Sequence, residues 1–218
     1  LGYTTLSVST NGFLTLGAVP ATTYCGLQGS AVNSIAAYGT DLVNGSTSSV
    51  ISYVISGSAP NRQFIAQWSD CKHYNGGADH YSFQIILNEN GNTIQVVWGP
   101  VTAVSTMGAN TCSDAATESG DVGLLGASIS DFNIRSITNG SNDWNSSVTG
   151  TAISAVCNMS PTNFPSQGLT YTWTPPVPVP MSFTSCNTVM LNNGEVNGQG
   201  TTNNRIVQLQ VLTSGSKK

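Results

Sequence analysis

Cys71, His73, Asp79 and His80 crowd into the stretch DCKHYNGGADH, and two imidazoles, a thiol and a carboxylate are zinc-ligand chemistry. No two of them carry a tight ligand spacing, and both histidines flank a hairpin loop. The expectation is therefore a polar loop tip with Cys71 in a disulfide. Asp70, Asp79 and Glu89 are the carboxylates closest to the β-rich centre of the chain. A glycosidase needs two such acids facing across a cleft, one of them with a raised pKa. These acids fall at strand ends and in a tight turn, where solvated carboxylates are ordinary. No GxSxG, HExxH or phosphate-binding loop occurs, so nucleophilic serine chemistry has no support and no catalytic residue is assigned.

Trp144 sits in NGSNDWNSS with no apolar neighbour. An indole beside amides and a carboxylate suits stacking on a sugar ring, with Asn142 and Asp143 bonding its hydroxyls. Trp68, Trp98 and Trp173 lie on alternating strands and are expected in the core. No cofactor is called for. Calcium is the candidate if one binds, with oxygen ligands among Asp121, Asp131, Asn139 and Asp143, although their spacing matches no loop motif. Asn44, Asn139, Asn145 and Asn158 open glycosylation-type sequons, which chance supplies in so Asn/Ser-rich a chain.

The elements that must position these groups are strands. Ser49 to Trp98 reads as SVISYVIS, QFIAQWS, HYSFQIIL and NTIQVVW, separated by turn-rich breaks. Phe64, Ala66 and Trp68 alternate with Ile65 and Gln67; Tyr81, Phe83, Ile85 and Leu87 alternate with Ser82, Gln84 and Ile86. A period of two marks half-buried antiparallel strands. Asn90-Gly91 is a hairpin signal because both residues tolerate positive φ. This meander is expected to hold the core. TTLSVSTNGFLTLG forms a further hairpin, and DVGLLGA, Asp131 to Ile137, Thr151 to Cys157 and Leu169 to Trp173 supply further strands. With no amphipathic helix anywhere, the expected fold is all-β: an antiparallel, jelly-roll-like β-sandwich.

The domain expected over residues 1–174 is followed by a proline-rich linker, PPVPVP, over 175–180. Residues 181–218 then begin a second β unit. Two strands alone are marginal in water. They must pair with missing sequence, with the first domain or with a neighbouring chain, and for the last case the run Arg205, Ile206, Val207, Gln208, Leu209, Gln210, Val211 and Leu212 is the candidate inter-subunit strand. Leu1 enters almost directly into a strand and Lys218 closely follows an apolar run, so both ends read as cut points within a longer protein.

Only 7% of the 218 residues are charged, against about 25% in ordinary soluble domains, so the surface is solvated by hydroxyls and amides. A net charge of −4 provides no basic patch for nucleic acid. No apolar run nears the ~20 residues that span a bilayer. Five cysteines without a CxxC pair point to an oxidising compartment. Cys25, Cys71, Cys112 and Cys157 are the disulfide candidates, with their pairing open and buried free thiols as the alternative.

VSTNGFLTLG, NSIAAYGTDL, ISYVISGSAPNRQFIAQWSD, YSFQIILNENGNTIQVVWG and GLTYTWTP together resemble a recurring module of large secreted surface proteins of Bacteroidetes, of the kind exported by the type IX system. The APNR turn before a strand ending in Trp is the most specific part. Where that family is more acidic and aromatic, this chain has AAYGTDL, and only Asp41 carries over. NNRIVQLQVLTSGSKK resembles the opening strand of a β-domain that precedes sialidase-like propellers. The resemblance implies an extracellular, cell-surface, non-catalytic module for adhesion or carbohydrate contact. Its partners would be a surface glycan, a protein or copies of itself. The alternatives are a filament subunit assembled by strand complementation and an accessory domain of a secreted glycan-degrading enzyme.

Overall fold

The computed structural model describes residues 3–17, 26–29, 32–74, 77–107 and 119–176. The chain divides into two compact units, Leu1–Pro175 and Pro176–Lys218. Arg205–Leu212 lies outside the described residues.

The first unit is an all-β sandwich, and no α-helix occurs among the described residues. Its strands are β1 (Leu6–Val8), β2 (Phe13–Leu16), β3 (Ser34–Gly39), β4 (Leu42–Asn44), β5 (Val50–Ser56), β6 (Gln63–His73), β7 (His80–Asn88), β8 (Ile94–Thr102), β9 (Asp121–Leu125), β10 (Phe132–Ser136), β11 (Val148–Thr149) and β12 (Thr170–Trp173). One sheet has the order β1-β2-β3-β9-β10-β11 and the other β12-β8-β7-β6-β4, with β5 also paired to β6. Every pairing is antiparallel. The chain changes layer between β3 and β4, β8 and β9, and β11 and β12.

The alternation in the meander sets its inward face. Ala66 and Trp68 of β6, Tyr81, Phe83 and Ile85 of β7, and Val96 and Trp98 of β8 are buried together against Leu14, Ile35 and Val122 of the other sheet. The Trp68 indole donates to the Ser9 carbonyl at 2.9 Å, tying the β1–β2 hairpin to the second layer. A smaller cluster of Phe13, Leu27, Ala36, Leu125 and Ile134 lies apart from that core, with Ile153 and Ala155 packed on it. The first sheet is therefore covered on both faces, which explains why SIAAYG and DVGLL run apolar without alternating. Thr151 to Cys157 is not the strand its composition suggested. It forms turns and single bridges, and its apolar side chains cap this outer cluster.

Two further parts of the chain depart from sequence expectation here. β5 belongs to the meander, yet all of its residues are exposed, so the core rests on β6–β8 rather than on the whole meander. Cys71 and Cys157 are buried free thiols, not the disulfide partners expected of them; Cys25 and Cys112 lie outside the described residues. A thiol sunk among apolar side chains behaves as a small hydrophobe.

Candidate functional site

Two surfaces of the first unit combine chemistry with access: the strand β5, and a cleft where the layers part between β10–β11 and β12.

β5 pairs with β6 from Val50↔Ser69 to Ser56↔Gln63, and its other edge is unpaired among the described residues. Tyr53 is 71% exposed and Ile55 65%. The register puts Ile51, Tyr53 and Ile55 on the face of Trp68, Ala66 and Phe64, so an apolar shelf continues outward from the core side of the sheet. Tyr53 stacks on Phe64 with ring centroids 5.9 Å apart. Natural edge strands are normally guarded by lysine, proline, a bulge or shortness. β5 has seven residues, VISYVIS, and none of those guards.

At one end of β5 stands Asp70, in a left-handed conformation (φ 60°) where β6 slips register between Trp68 and Cys71. Its carboxylate accepts from Ser46 Oγ and lies 2.6 Å from His80 Nδ1, while its carbonyl accepts from Ser49 Oγ at 2.5 Å and Gly45 N at 2.8 Å. A side chain at Gly45 would meet the Asp70 carbonyl oxygen at 2.5 Å. Ser, His and Asp meet here, but both serines bond to Asp70 and neither to the imidazole, which is not the order of a proton relay. The cluster pins β4, β5 and β7 to the bulge.

The three carboxylates closest to the β-rich centre, Asp70, Asp79 and Glu89, are all shifted downward in pKa. Bonds from Ser46 and then His80 lower the Asp70 pKa. Burial raises that of Asp79, but bonds from Ser105 and Val104 outweigh it and the net shift is downward. Glu89 is held down to about 2 by the Arg62 guanidinium. A general acid at neutral pH needs the opposite shift.

The zinc-type set is split. Cys71 and His73 are buried, His73 edge-on to Tyr81 at 5.7 Å, whereas His80 bonds Asp70 at the half-exposed bulge. No group of three His, Cys, Asp or Glu suited to a metal occurs among the described residues. The calcium candidates are likewise dispersed. Asp121 accepts from Leu27 N and Gln28 Nε2, both at 2.9 Å; Asp131 Oδ2 accepts from Ala127 N; Asp143 accepts from Ser146 N at 2.7 Å. Each closes a separate loop.

Trp144 is not a surface platform. It is 1% exposed and packs edge-on against Trp98 at 4.9 Å, closing one part of the core. Asn142 bonds its own loop, accepting from Thr138 N at 2.8 Å and donating to Ser136 O at 2.9 Å. Its neighbours in sequence are polar because the loop is exposed while the indole alone folds inward. Trp68 and Trp98 are core as expected; Trp173 is only partly buried and borders the cleft.

That cleft has a volume of about 460 Å³ and is lined by Asn133, Arg135, Asn145, Ser147, Tyr171 and Trp173, among others. Arg135 Cζ lies 5.6 Å from the centroid of the Tyr171 ring, and Trp173 Nε1 donates to Asn133 Oδ1 at 3.1 Å. Sequence reading passed over this cleft because its residues come from three separate stretches. The one available signal was the alternation Asn133, Arg135 on a strand whose other face is apolar.

The chain belongs to the NIDO-related family, whose model matches residues 1–175, the whole first unit. NIDO is an extracellular domain, so membership of the related family points to an extracellular β-sandwich module. No curated protein and no solved structure matches the chain. No helix among the described residues is long and apolar enough to cross a membrane.

Proposed function

We propose that the protein is a non-catalytic adhesion module of a Bacteroidetes-type cell-surface protein, and that β5 is its contact element. The observation that carries this reading is a seven-residue strand exposed throughout, with one free edge and no charged residue. Strand addition supplies main-chain hydrogen bonds along such an edge, and alternate side chains set specificity.

The occupant is a second copy of the chain. An antiparallel pairing about Tyr53 places Tyr53 opposite Tyr53 and Ile51 opposite Ile55 on the shelf face, and Ser52 opposite Val54 on the other. Such aromatic and β-branched cross-strand pairs stabilise by ~0.2–1 kcal/mol each. The interface is isologous and opposes no like charges.

A second reading rests on the same free edge. Arg205–Leu212 alternates apolar Val207, Leu209 and Val211 with polar Gln208 and Gln210. As a donor strand seated on β5 of the next molecule, it would build a filament.

Sedimentation of the full chain and clumping of chain-coated beads test both. Self-association abolished by Val54→Lys and untouched by deletion of residues 205–212 supports β5–β5 pairing. Loss in both variants, with filaments of the parent chain in electron micrographs, supports the donor strand. A parent chain that stays monomeric and does not clump its beads overturns both.

A further inference from the structure

We propose that the cleft between β10–β11 and β12 binds a carboxylated pyranose, a hexuronic-acid residue of an acidic glycan. The site is separate from β5 and stands whether or not the strand-addition reading holds.

The argument starts from side chains on the wrong face for a core. Asn133 pairs with Leu124 of β9, and Leu124 packs on the main core, so Asn133 and, two residues on, Arg135 take the inward face of the first sheet. Opposite them, Tyr171 pairs with Val96 and Trp173 with Ile94, which places both rings on the inward face of the second. Where the layers meet elsewhere, these positions are apolar. Polar groups between layers are costly unless they are bonded or hydrated. Here the edge strand β11 is two residues long and the layers stay open, leaving a cleft within the ~300–1,000 Å³ range of small-molecule sites.

The lining is also held in place. Arg135 Nε donates to Ser147 Oγ at 3.0 Å, and Nη2 to the Ser147 carbonyl and hydroxyl. Tyr171 under the guanidinium donates to the Trp144 carbonyl at 2.5 Å, and Trp173 is fixed through Asn133. The ion pairs among the described residues are Arg62–Glu89 and Asp70–His80, so no described carboxylate pairs with Arg135 at the cleft. A guanidinium has five N–H donors, and the bonds to Ser147 engage Nε and Nη2, which leaves the two Nη1 N–H groups to meet a carboxylate.

The ligand class follows from the set. A pyranose ring presents a flat face of C–H groups that packs on an indole. Its hydroxyls pair with amides and hydroxyls such as Asn145 and Thr149, both of which line the cleft. A carboxylate on that ring would meet Arg135. A neutral sugar would leave the guanidinium without its anion, and a free carboxylate would leave the aromatic wall unused.

The test is a titration of the full chain with methyl β-D-glucuronide, followed through the indole N–H resonances. Methyl β-D-glucoside and acetate are the controls. The Trp173 resonance is expected to shift saturably with the glucuronide, while the buried Trp68, Trp98 and Trp144 stay put. The glucoside should bind about tenfold more weakly or less, and Arg135→Gln should weaken the glucuronide about tenfold. Asn145→Ala, which leaves the Arg135–Tyr171 contact intact, should weaken it by a smaller factor with an unchanged unfolding temperature. An unshifted Trp173 resonance overturns the site. Equal responses to glucuronide and glucoside overturn the role of Arg135, and an equal response to acetate overturns the sugar.

Discussion

His80 Nδ1 lies 2.6 Å from Asp70 Oδ1, across the point where β6 takes up an extra residue and Asp70 turns to φ 60°. The pair joins β7 to the bulge from one side while Ser46 and Ser49 hold it from the other. Asp70→Gly and Asp70→Ala remove the same side-chain bonds, but only Ala must carry a Cβ in the left-handed region, at a cost of ~1–2 kcal/mol. Asp70→Gly should therefore be the more stable variant by about 1 kcal/mol in chemical denaturation. Because the Asp70 carboxyl is held below its ordinary value, its contribution is present above that value and fades as pH falls through the lower one. Equal stabilities of the two variants would show that the backbone there is not constrained.

Trp144 now carries a packing prediction rather than a binding one. Removing a buried indole that touches Trp98 and Tyr38 should cost ~3–5 kcal/mol as Trp144→Ala, with Trp144→Phe recovering part of it. Calorimetric unfolding checks this; a loss below about 1 kcal/mol would mean the indole is not part of the core.

Cys71 and Cys157 should resist alkylation in the native protein. Burial pushes the Cys71 thiol to about 11 and lifts Cys157 well above its usual range. At pH 8 only about one Cys71 in a thousand is thiolate, the reactive form. Peptide mapping after iodoacetamide should find both unmodified in native protein and both modified in denaturant. Resistance that persists in denaturant until a reductant is added would instead reveal a disulfide.

Glu89 should titrate near 2 in the folded chain, because Arg62 meets it through Nε, Nη2 and its own backbone N–H. The sign follows from a depressed carboxyl: the stabilisation is full above the ordinary value and is lost as pH falls toward 2. Side-chain carboxyl NMR should show this midpoint, and Arg62→Gln should move it back toward 4.5. A parent midpoint already near 4.5 would mean that the pair is not formed in solution.

Composition, turn residues and period-two alternation determined the fold class, the β6–β8 faces, the place of the β7–β8 hairpin and the burial of Trp68 and Trp98, although the positive φ angles of that turn fall on Gly91 and Asn92 rather than on Asn90 and Gly91. All of these are local: strand geometry fixes which side chains share a face, and turn residues fix where a strand ends. Alternation says nothing about whether another layer covers that face. β5 and β7 are both rich in apolar residues, yet β7 lies beneath the first sheet and β5 is exposed. Trp144 shows the converse, a lone aromatic in a polar loop that the tertiary fold turns inward. Asp121 accepts from Leu27 N and Gln28 because the packing of β9 brings residues 94 apart in sequence to 2.9 Å. Arg135, Tyr171 and Trp173 likewise share a cleft only because the β10–β11 margin of one sheet lies beside the edge strand β12 of the other. Long-range proximity is set by how the layers stack, and a linear pattern with a period of two residues carries no measure of it.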